Sequence, residues 1–279
     1  MAWDLTGDVE KFAETAGDFL RSRPVQHTTL LTLVDTLRRR GPHAYGSQDP
    51  LFGIWRTPSE VVAGVLLQTP PYPMMFSEVP REAATAAVEL LADRPLTGVN
   101  MLAGAAAAFV DEWRRRTGAT ATVRMRTRLY RLDTLTPPPV RPPGQARQGE
   151  PDDREVATRW LHELYAYIGE TAHDLATVVD ERIADGLVTL WEVDGEPVSM
   201  VIRSRPEAGM IRILNVYTPP DERGKGYAGA ATTVATRAAL AGGAHDVVLN
   251  TDLANPTSNA LYQRLGYRPM EDRTVVDFA

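Results

Sequence analysis

The stretch Thr218-Pro219-Pro220-Asp221-Glu222-Arg223-Gly224-Lys225-Gly226-Tyr227-Ala228 decides how this chain is read. It follows Met210–Tyr217, an apolar run with the pattern of a strand, and it opens Gly226–Ala241, a run of small residues closed by Gly242-Gly243 that has the pattern of a helix. A turn of exposed amides leading into a helix N-terminus attracts anions, because free N–H groups and the positive end of the helix dipole point at one spot. Glycine at 224 and 226 lets the backbone approach a pyrophosphate closely, and Arg223 and Lys225 add positive charge. The reading is a phosphate cradle; the alternative is an ordinary solvated turn. A Walker loop is excluded because no Gly-Lys-Ser/Thr stands at the required distance after a glycine, and the Rossmann spacing fails too.

Outward from the cradle, the second half of the chain reads as two helices, three strands, helix, strand, helix, strand. Val156, Trp160, Leu164 and Ile168 recur every fourth residue, and Leu175, Val178, Val179 and Ile183 define a second helix stopped by Gly186. Leu187–Val193 and Pro197–Arg203 flank Asp194-Gly195, a hairpin signal. Beyond the cradle helix come a strand at Val247–Thr251, a helix at Thr257–Leu265 capped by Gly266, and a strand at Tyr267–Phe278. The first half repeats the order: helices at Asp8–Leu20 and Thr28–Arg40, strands at Leu51–Arg56, Val61–Gln68 and Met74–Val79, a helix at Arg81–Ala92, a strand at Leu96–Met101, a helix at Ala103–Arg116 and a strand at Thr120–Leu132. Between them Pro137-Pro138-Pro139-Val140-Arg141-Pro142-Pro143-Gly144 favours extended polyproline II. The expected division is therefore 1–136, a proline-rich linker at 137–144, and 145–279. Only the pattern repeats, since the halves show no clear sequence identity.

Composition narrows the function. The 279 residues are 43% apolar and 24% charged, ordinary for globular proteins. A net charge of -6 argues against a general nucleic-acid binder, whose affinity needs a dense basic surface. The absence of cysteine excludes disulfides and thiol nucleophiles. The acidic first ten residues and the lack of any apolar run of about 20 residues give no signal peptide and no membrane span, so the expected location is cytoplasmic. His27, His43, His162, His173 and His245 show no ligand spacing, and no metal is expected.

Two motifs carry a resemblance. Arg223-Gly224-Lys225-Gly226-Tyr227-Ala228 resembles the R/Q-x-x-G-x-G/A signature of the GNAT superfamily of acyl-CoA-dependent N-acetyltransferases, and Asn255, Tyr262 and Leu265-Gly266-Tyr267 resemble its second signature. The resemblance covers roughly residues 145 to 279. It implies an α/β (α+β) fold of two tandem GNAT-like domains, each a mixed, mostly antiparallel sheet flanked by helices, in a layout similar to mycothiol synthase and other tandem members. It implies acetyl-CoA as co-substrate, held at its pyrophosphate by the amides of Arg223, Gly224, Lys225, Gly226, Tyr227 and Ala228, with Val216 and Thr218 pairing with the pantetheine arm. Val216 N–H would also polarise the thioester carbonyl. Asn255 would bond the cofactor arm, and Tyr262 would protonate the departing thiolate. The alternatives are a helix cap for Asn255 and a packed tyrosine for Tyr262.

One departure stands out: Met210–Tyr217 has no carboxylate, where many members place a glutamate as general base. Glu163, His162, Glu170 and Glu192 are the candidates, each with a surface residue as its alternative, and a water relay is the other route. In the first half, Val79-Pro80-Arg81-Glu82-Ala83-Ala84 enters its helix without glycine and with Glu82 where an anion would sit, so that copy is expected to be degenerate and not to bind CoA. The cluster Thr69–Phe76 reads as a packed loop or as one lining the acceptor pocket. The implied activity is acetyl transfer to a primary amine of a small molecule or peptide by direct attack in a ternary complex. The alternatives are a non-catalytic acyl-CoA sensor and a protein N-acetyltransferase whose first half docks the partner.

Overall fold

The structure is a computed structural model that describes residues 2–170 and 174–279; His173 lies outside the described residues. The first half of the chain builds β1 (Ala2–Thr6), α1 (Val9–Ser22), α2 (Thr28–Arg40), β2 (Leu51–Arg56), β3 (Val62–Gln68), β4 (Met74–Phe76), α3 (Arg81–Leu91), β5 (Gly98–Leu102), α4 (Ala103–Thr117) and β6 (Ala121–Leu132). The second builds β7 (Gln145–Gln148), α5 (Arg154–Ile168), α6 (Leu175–Ala184), β8 (Val188–Val193), β9 (Glu196–Arg203), β10 (Met210–Tyr217), α7 (Tyr227–Ala241), β11 (Asp246–Asp252), α8 (Pro256–Arg264) and β12 (Tyr267–Phe278). The helices start and stop where the side chains direct. Asp8 caps α1 by accepting from the amides of Glu10 and Lys11 at 2.8 and 3.2 Å, and Phe12, Ala16 and Leu20 bury its inner face.

Each half begins with a strand that the sequence pattern does not show. β1 is short, and β7 is the polar run Gln-Ala-Arg-Gln with no buried residue, so neither offers an apolar alternation to detect. Pairing partners hold them: β1 lies antiparallel on β2, Ala2 opposite Arg56, and β7 antiparallel on β8, Gln145 opposite Glu192.

By packing, the chain divides into two compact units whose boundaries differ from 1–136 and 145–279. The first holds the residues up to Leu129, Asp252–Ala254 and Met270–Ala279; the second holds Tyr130–Thr251 and Asn255–Pro269. The last strands have thus been exchanged in part: most of β12, Met270–Phe278, joins the first unit, and the end of β6, Tyr130–Leu132, joins the second. In the first unit the order β1-β2-β3-β4-β5 is extended by β12, which runs antiparallel to β5 from Arg273 opposite Leu102 to Asp277 opposite Gly98. In the second, the end of β6 begins the order β6-β11-β10-β9-β8-β7. Tyr130 of β6 is fully buried in the second core, where its hydroxyl donates to Asn259 Oδ1 at 2.9 Å and accepts from Gln263 Nε2 at 3.0 Å. Alternation tells a strand which side to bury but not which strand to pair with, which is why the exchange is invisible in the sequence.

Most of the pairings among the described residues are antiparallel, and two are parallel junctions, β4 on β5 in the first unit and β10 on β11 in the second. The first core gathers Trp55, Leu66, Phe76, Val88, Phe109 and Trp113. The second unit has two cores. One packs Ile211, Ile213, Val247 and Leu249 with α7; the other packs Leu190, Met200 and Tyr217 with α5 and α6. The proline segment 137–144 belongs to the second unit rather than separating two. Trp191 Nε1 donates to the Pro143 carbonyl at 2.8 Å, and Trp191 itself is buried. No helix among the described residues is long and apolar enough to cross a membrane.

Candidate functional site

β10 and β11 pair only from Met210 opposite Asp246 to Ile213 opposite Leu249. Past Ile213 a bulge shifts the register of β10 on its other neighbour, β9, and β10 follows β9 through Tyr217 opposite Met200. Two parallel strands therefore part company after Leu249, and the stretch from Asn215 to Tyr217 keeps a strand partner on one side. This is where Val216 stands, half-buried, with Thr218 just beyond it. Thr218 is held from behind: its Oγ1 lies 2.8 Å from Ser199 Oγ, which also donates to the Tyr217 carbonyl at 3.1 Å.

The cradle follows. Arg223, Gly224, Lys225 and Gly226 are exposed, and both glycines take the left-handed backbone, φ 78° at Gly224 and 90° at Gly226. Side chains disfavour that region by about 1–2 kcal/mol, so these positions call for glycine. Gly226 is the N-cap of α7, and no side chain caps the helix. The amides of its first turn are left for an outside acceptor, as an anion site requires. Tyr227 turns its ring into the core and Ala228 is half-buried, so these two offer backbone.

The two basic side chains are engaged elsewhere. Arg223 Nε donates to the Thr218 carbonyl at 3.0 Å, and its guanidinium lies over the rings of Tyr167 (5.7 Å) and Tyr217 (6.0 Å). Lys225 Nζ pairs with Glu222 at 2.9 Å, which raises its pKa. What the turn itself presents is backbone amides and the N-terminal end of the α7 dipole.

Asn255 and Tyr262 sit at the start of α8 and two turns along it. Asn255 Oδ1 accepts from Ser258 N at 3.0 Å, the helix-cap alternative, which leaves its amide N–H groups as donors. The Tyr262 ring is buried and meets Tyr267 edge-on at 6.2 Å. Burial, with Tyr267 beside it, pushes the Tyr262 phenol well above the usual tyrosine range, so it is a neutral donor throughout the physiological range. Burial also lifts Tyr267 to about 12, although its hydrogen bond to Thr236 works the other way.

Of the four candidate bases, one meets β10. Glu163 Oε2 accepts from the Tyr217 hydroxyl at 2.6 Å; burial, then Glu163, raises the Tyr217 pKa. Glu192 is bound to Arg147 Nε at 2.5 Å, in a cluster with Asp153 that holds the guanidinium well above its ordinary value. His162 is exposed, and Glu170 follows the end of α5. The sequence reading did not foresee Tyr217 or Tyr167. The signal available was the spacing of Trp160, Glu163 and Tyr167 along one helix face, which says nothing of a partner 54 residues away. In the first unit, Met74 and Phe76 of the cluster 69–76 are core residues of β4 rather than pocket lining. Among the described residues, no group of three or more His, Asp or Glu is placed to hold a metal ion.

The acetyltransferase (GNAT) family model matches residues 152–267, which span β10, the cradle, α7, β11 and α8. No curated protein sequence matches the chain at a significant level. Solved structures similar over nearly the whole chain include a Drosophila protein (TM-score 0.68, 12% identity, 99% of this chain and 98% of that one). A GCN5-related N-acetyltransferase from Sphaerobacter thermophilus gives 0.65 at 15% identity, over 98% of this chain and 94% of that one. A tandem GNAT protein from the clavulanic acid biosynthesis pathway gives 0.58 at 13% identity, over 99% of this chain and 98% of that one. At these identities the likeness is one of fold, and the fold is that of tandem GNAT proteins.

Proposed function

Residues 152–267 are a GNAT acetyltransferase domain, and from that premise we propose that the chain transfers an acetyl group from acetyl-CoA to a primary amine of a small molecule or peptide. The observation that carries this reading is the parting of β10 from β11 directly before the glycine turn and the uncapped α7. An extended pantetheine arm fits the open side of β10, and its pyrophosphate fits the amides of residues 223 to 228.

The chemistry is direct attack within a ternary complex, so the rate comes mainly from holding amine and thioester together and from the Val216 amide stabilising the oxyanion. As the C–N bond forms and the C–S bond breaks, Tyr262 gives a proton to the sulfur. A phenol this buried would ionise only at great cost, so its proton must be replaced in the same step by one from the attacking nitrogen. An acceptor that enters as its ammonium ion first gives its extra proton towards Glu163, the candidate carboxylate that reaches β10, so the product amide keeps one N–H. The N-terminal copy has no donor site in this reading.

The absence of a carboxylate on β10 favours a second reading, a sensor that binds acyl-CoA without turnover. Thiol release from acetyl-CoA across a panel of amines, amino acids and peptides separates the two: an enzyme releases thiol with at least one acceptor, a sensor with none. Tyr262→Phe then keeps the ring and its burial while removing the proton. The expected result is a kcat lower by about 100-fold or more with acetyl-CoA affinity unchanged. Unchanged turnover would assign the proton to water.

A further inference from the structure

The two halves of α5 are held differently. Its buried residues, Ala157, Trp160 and Leu161, all lie in the first half; beyond them only the half-buried Leu164 and Tyr165 pack against that core before the Gly169 cap. The second half carries Glu163 and the exposed Tyr167. A helix segment with few buried apolar contacts is weakly fixed by packing, so its place depends on polar ties. Two reach it, one from the end of β10 and one from the turn after it. The Tyr217 hydroxyl donates to Glu163 Oε2 at 2.6 Å, and the Arg223 guanidinium lies 5.7 Å from the centre of the Tyr167 ring and 6.0 Å from that of Tyr217. Arg223 is itself anchored. Its Nε donates to the Thr218 carbonyl at 3.0 Å, and its amide donates to the Pro220 carbonyl at 3.2 Å, closing the single helical turn Pro220–Glu222.

We propose that Arg223 is a positioning residue: it clamps the second half of α5, and Glu163 with it, to the end of β10. The inference rests on the reading of Glu163 above, and it gives Arg223 a task other than adding charge for a pyrophosphate. Its Nε and its planar fork are committed to the Thr218 carbonyl and the two tyrosine rings. Arginine alone suits this, because a guanidinium stacks on rings while keeping directed N–H groups, whereas the ammonium of lysine is a point charge. Since Arg223 stands directly before Gly224, the residue that leads into the anion turn also sets where the carboxylate stands. Misplacing a reacting group by about 1 Å can cost about 100-fold in rate, so a clamp away from the reacting atoms is visible in kinetics. It acts on the acceptor side of the reaction and leaves donor affinity to the backbone amides.

The test uses the full chain, with thiol release from acetyl-CoA and the most active amine of the panel read beside acetyl-CoA affinity by calorimetry. Arg223→Ala should lower kcat/KM for the amine by about tenfold or more while the acetyl-CoA Kd stays within about twofold. Arg223→Lys keeps the charge without the planar fork and should not restore turnover. Tyr167→Leu should also lower kcat/KM, and Tyr167→Phe, which keeps the ring, should lower it less. Adding Tyr167→Leu to Arg223→Ala should cost little more than Arg223→Ala alone, the non-additivity of two partners in one contact. If Arg223→Ala fails to fold, the two Tyr167 variants decide by the same division between kcat/KM and Kd. Parental kcat/KM in Arg223→Ala, or independent losses in the double variant, overturns the inference and leaves the acetyltransferase reading standing. So does a loss of acetyl-CoA affinity of about tenfold in Arg223→Ala, which would make the side chain a phosphate ligand. Thiol release with no acceptor by the unaltered protein overturns both.

Discussion

The parallel junctions β4–β5 and β10–β11 start alike and end differently. In the second unit β10 leaves β11 after Ile213 and runs into two left-handed glycines and an uncapped helix. In the first, β4 and β5 pair at Met74 opposite Val99 and Met75 opposite Asn100, and the place beyond is taken by a side chain. The Arg273 guanidinium of β12 donates to the Phe76 carbonyl at 2.5 Å and to the Asn100 carbonyl and Oδ1, each at 2.9 Å. The helix that follows, α3, has Pro80 as its N-cap, no glycine turn before it, and Glu82 in its first turn. The same strand order can thus present carbonyl and amide groups to a ligand or satisfy them internally. The choice lies in a few residues at the strand ends.

The largest effect should come from cutting the chain at its apparent boundary. A fragment of residues 145–279 lacks β6, the neighbour of β11, and the buried Tyr130. It also carries β12 without β5, so it should fail to fold; circular dichroism and sedimentation check this. A folded fragment that binds acetyl-CoA would show that strand exchange is dispensable. Gly226→Val should come next. A branched side chain at φ 90° is strained and stands over the amides, so calorimetry should find acetyl-CoA affinity reduced by about 100-fold or more while the protein stays folded.

Arg273→Met probes the other junction. It removes a buried guanidinium from two carbonyls and should cost about 3 kcal/mol of stability, read by denaturant unfolding, with one acyl-CoA still bound per chain. A second bound acyl-CoA in this variant would mean that Arg273 alone closes the first site and that Glu82 and the missing glycines are incidental. The smallest effect concerns His27, buried with its Nδ1 3.0 Å from the Leu20 carbonyl. Burial lowers its pKa from the ordinary 6.5, and the positive charges of Arg23 and Arg273 act in the same direction. The unfolded chain therefore takes the proton first. Stability is present above pH 6.5 and is lost as the pH falls towards the folded pKa, at no more than about 1.4 kcal/mol per pH unit. Glu271, raised by burial and by nearby Glu78 yet lowered by Arg273, opposes this, losing its contribution as pH rises. The difference between the parent and His27→Gln, measured by unfolding at pH 7.5 and pH 5.5, isolates the histidine; a flat difference would refute its burial as the neutral form.

Much of the site could be read before any coordinate. The glycine turn, the helix it opens and the cap at Asn255 are local features, set by backbone freedom and by side chains reaching three residues along the chain. Helices with four-residue periodicity and strands with apolar runs were placed to within a few residues, as with Leu51–Arg56. The reading failed where structure depends on a partner distant in sequence. Arg223 was read for the charge it adds beside a glycine, with no sign that Tyr167, 56 positions before it, would lie under its guanidinium, or that Tyr217 would donate to Glu163, 54 residues away.

The sequence by itself determined the repeated order of elements, the glycine turn and the helix it opens, because periodicity, turn chemistry and helix caps are encoded within a few residues. Only the tertiary structure decided which strand completes which unit, that Glu163 meets Tyr217, and that Arg273 closes the first junction. Those outcomes are pairings between segments far apart in the chain, fixed by the burial and hydrogen-bond satisfaction of the whole fold. No local pattern carries that information.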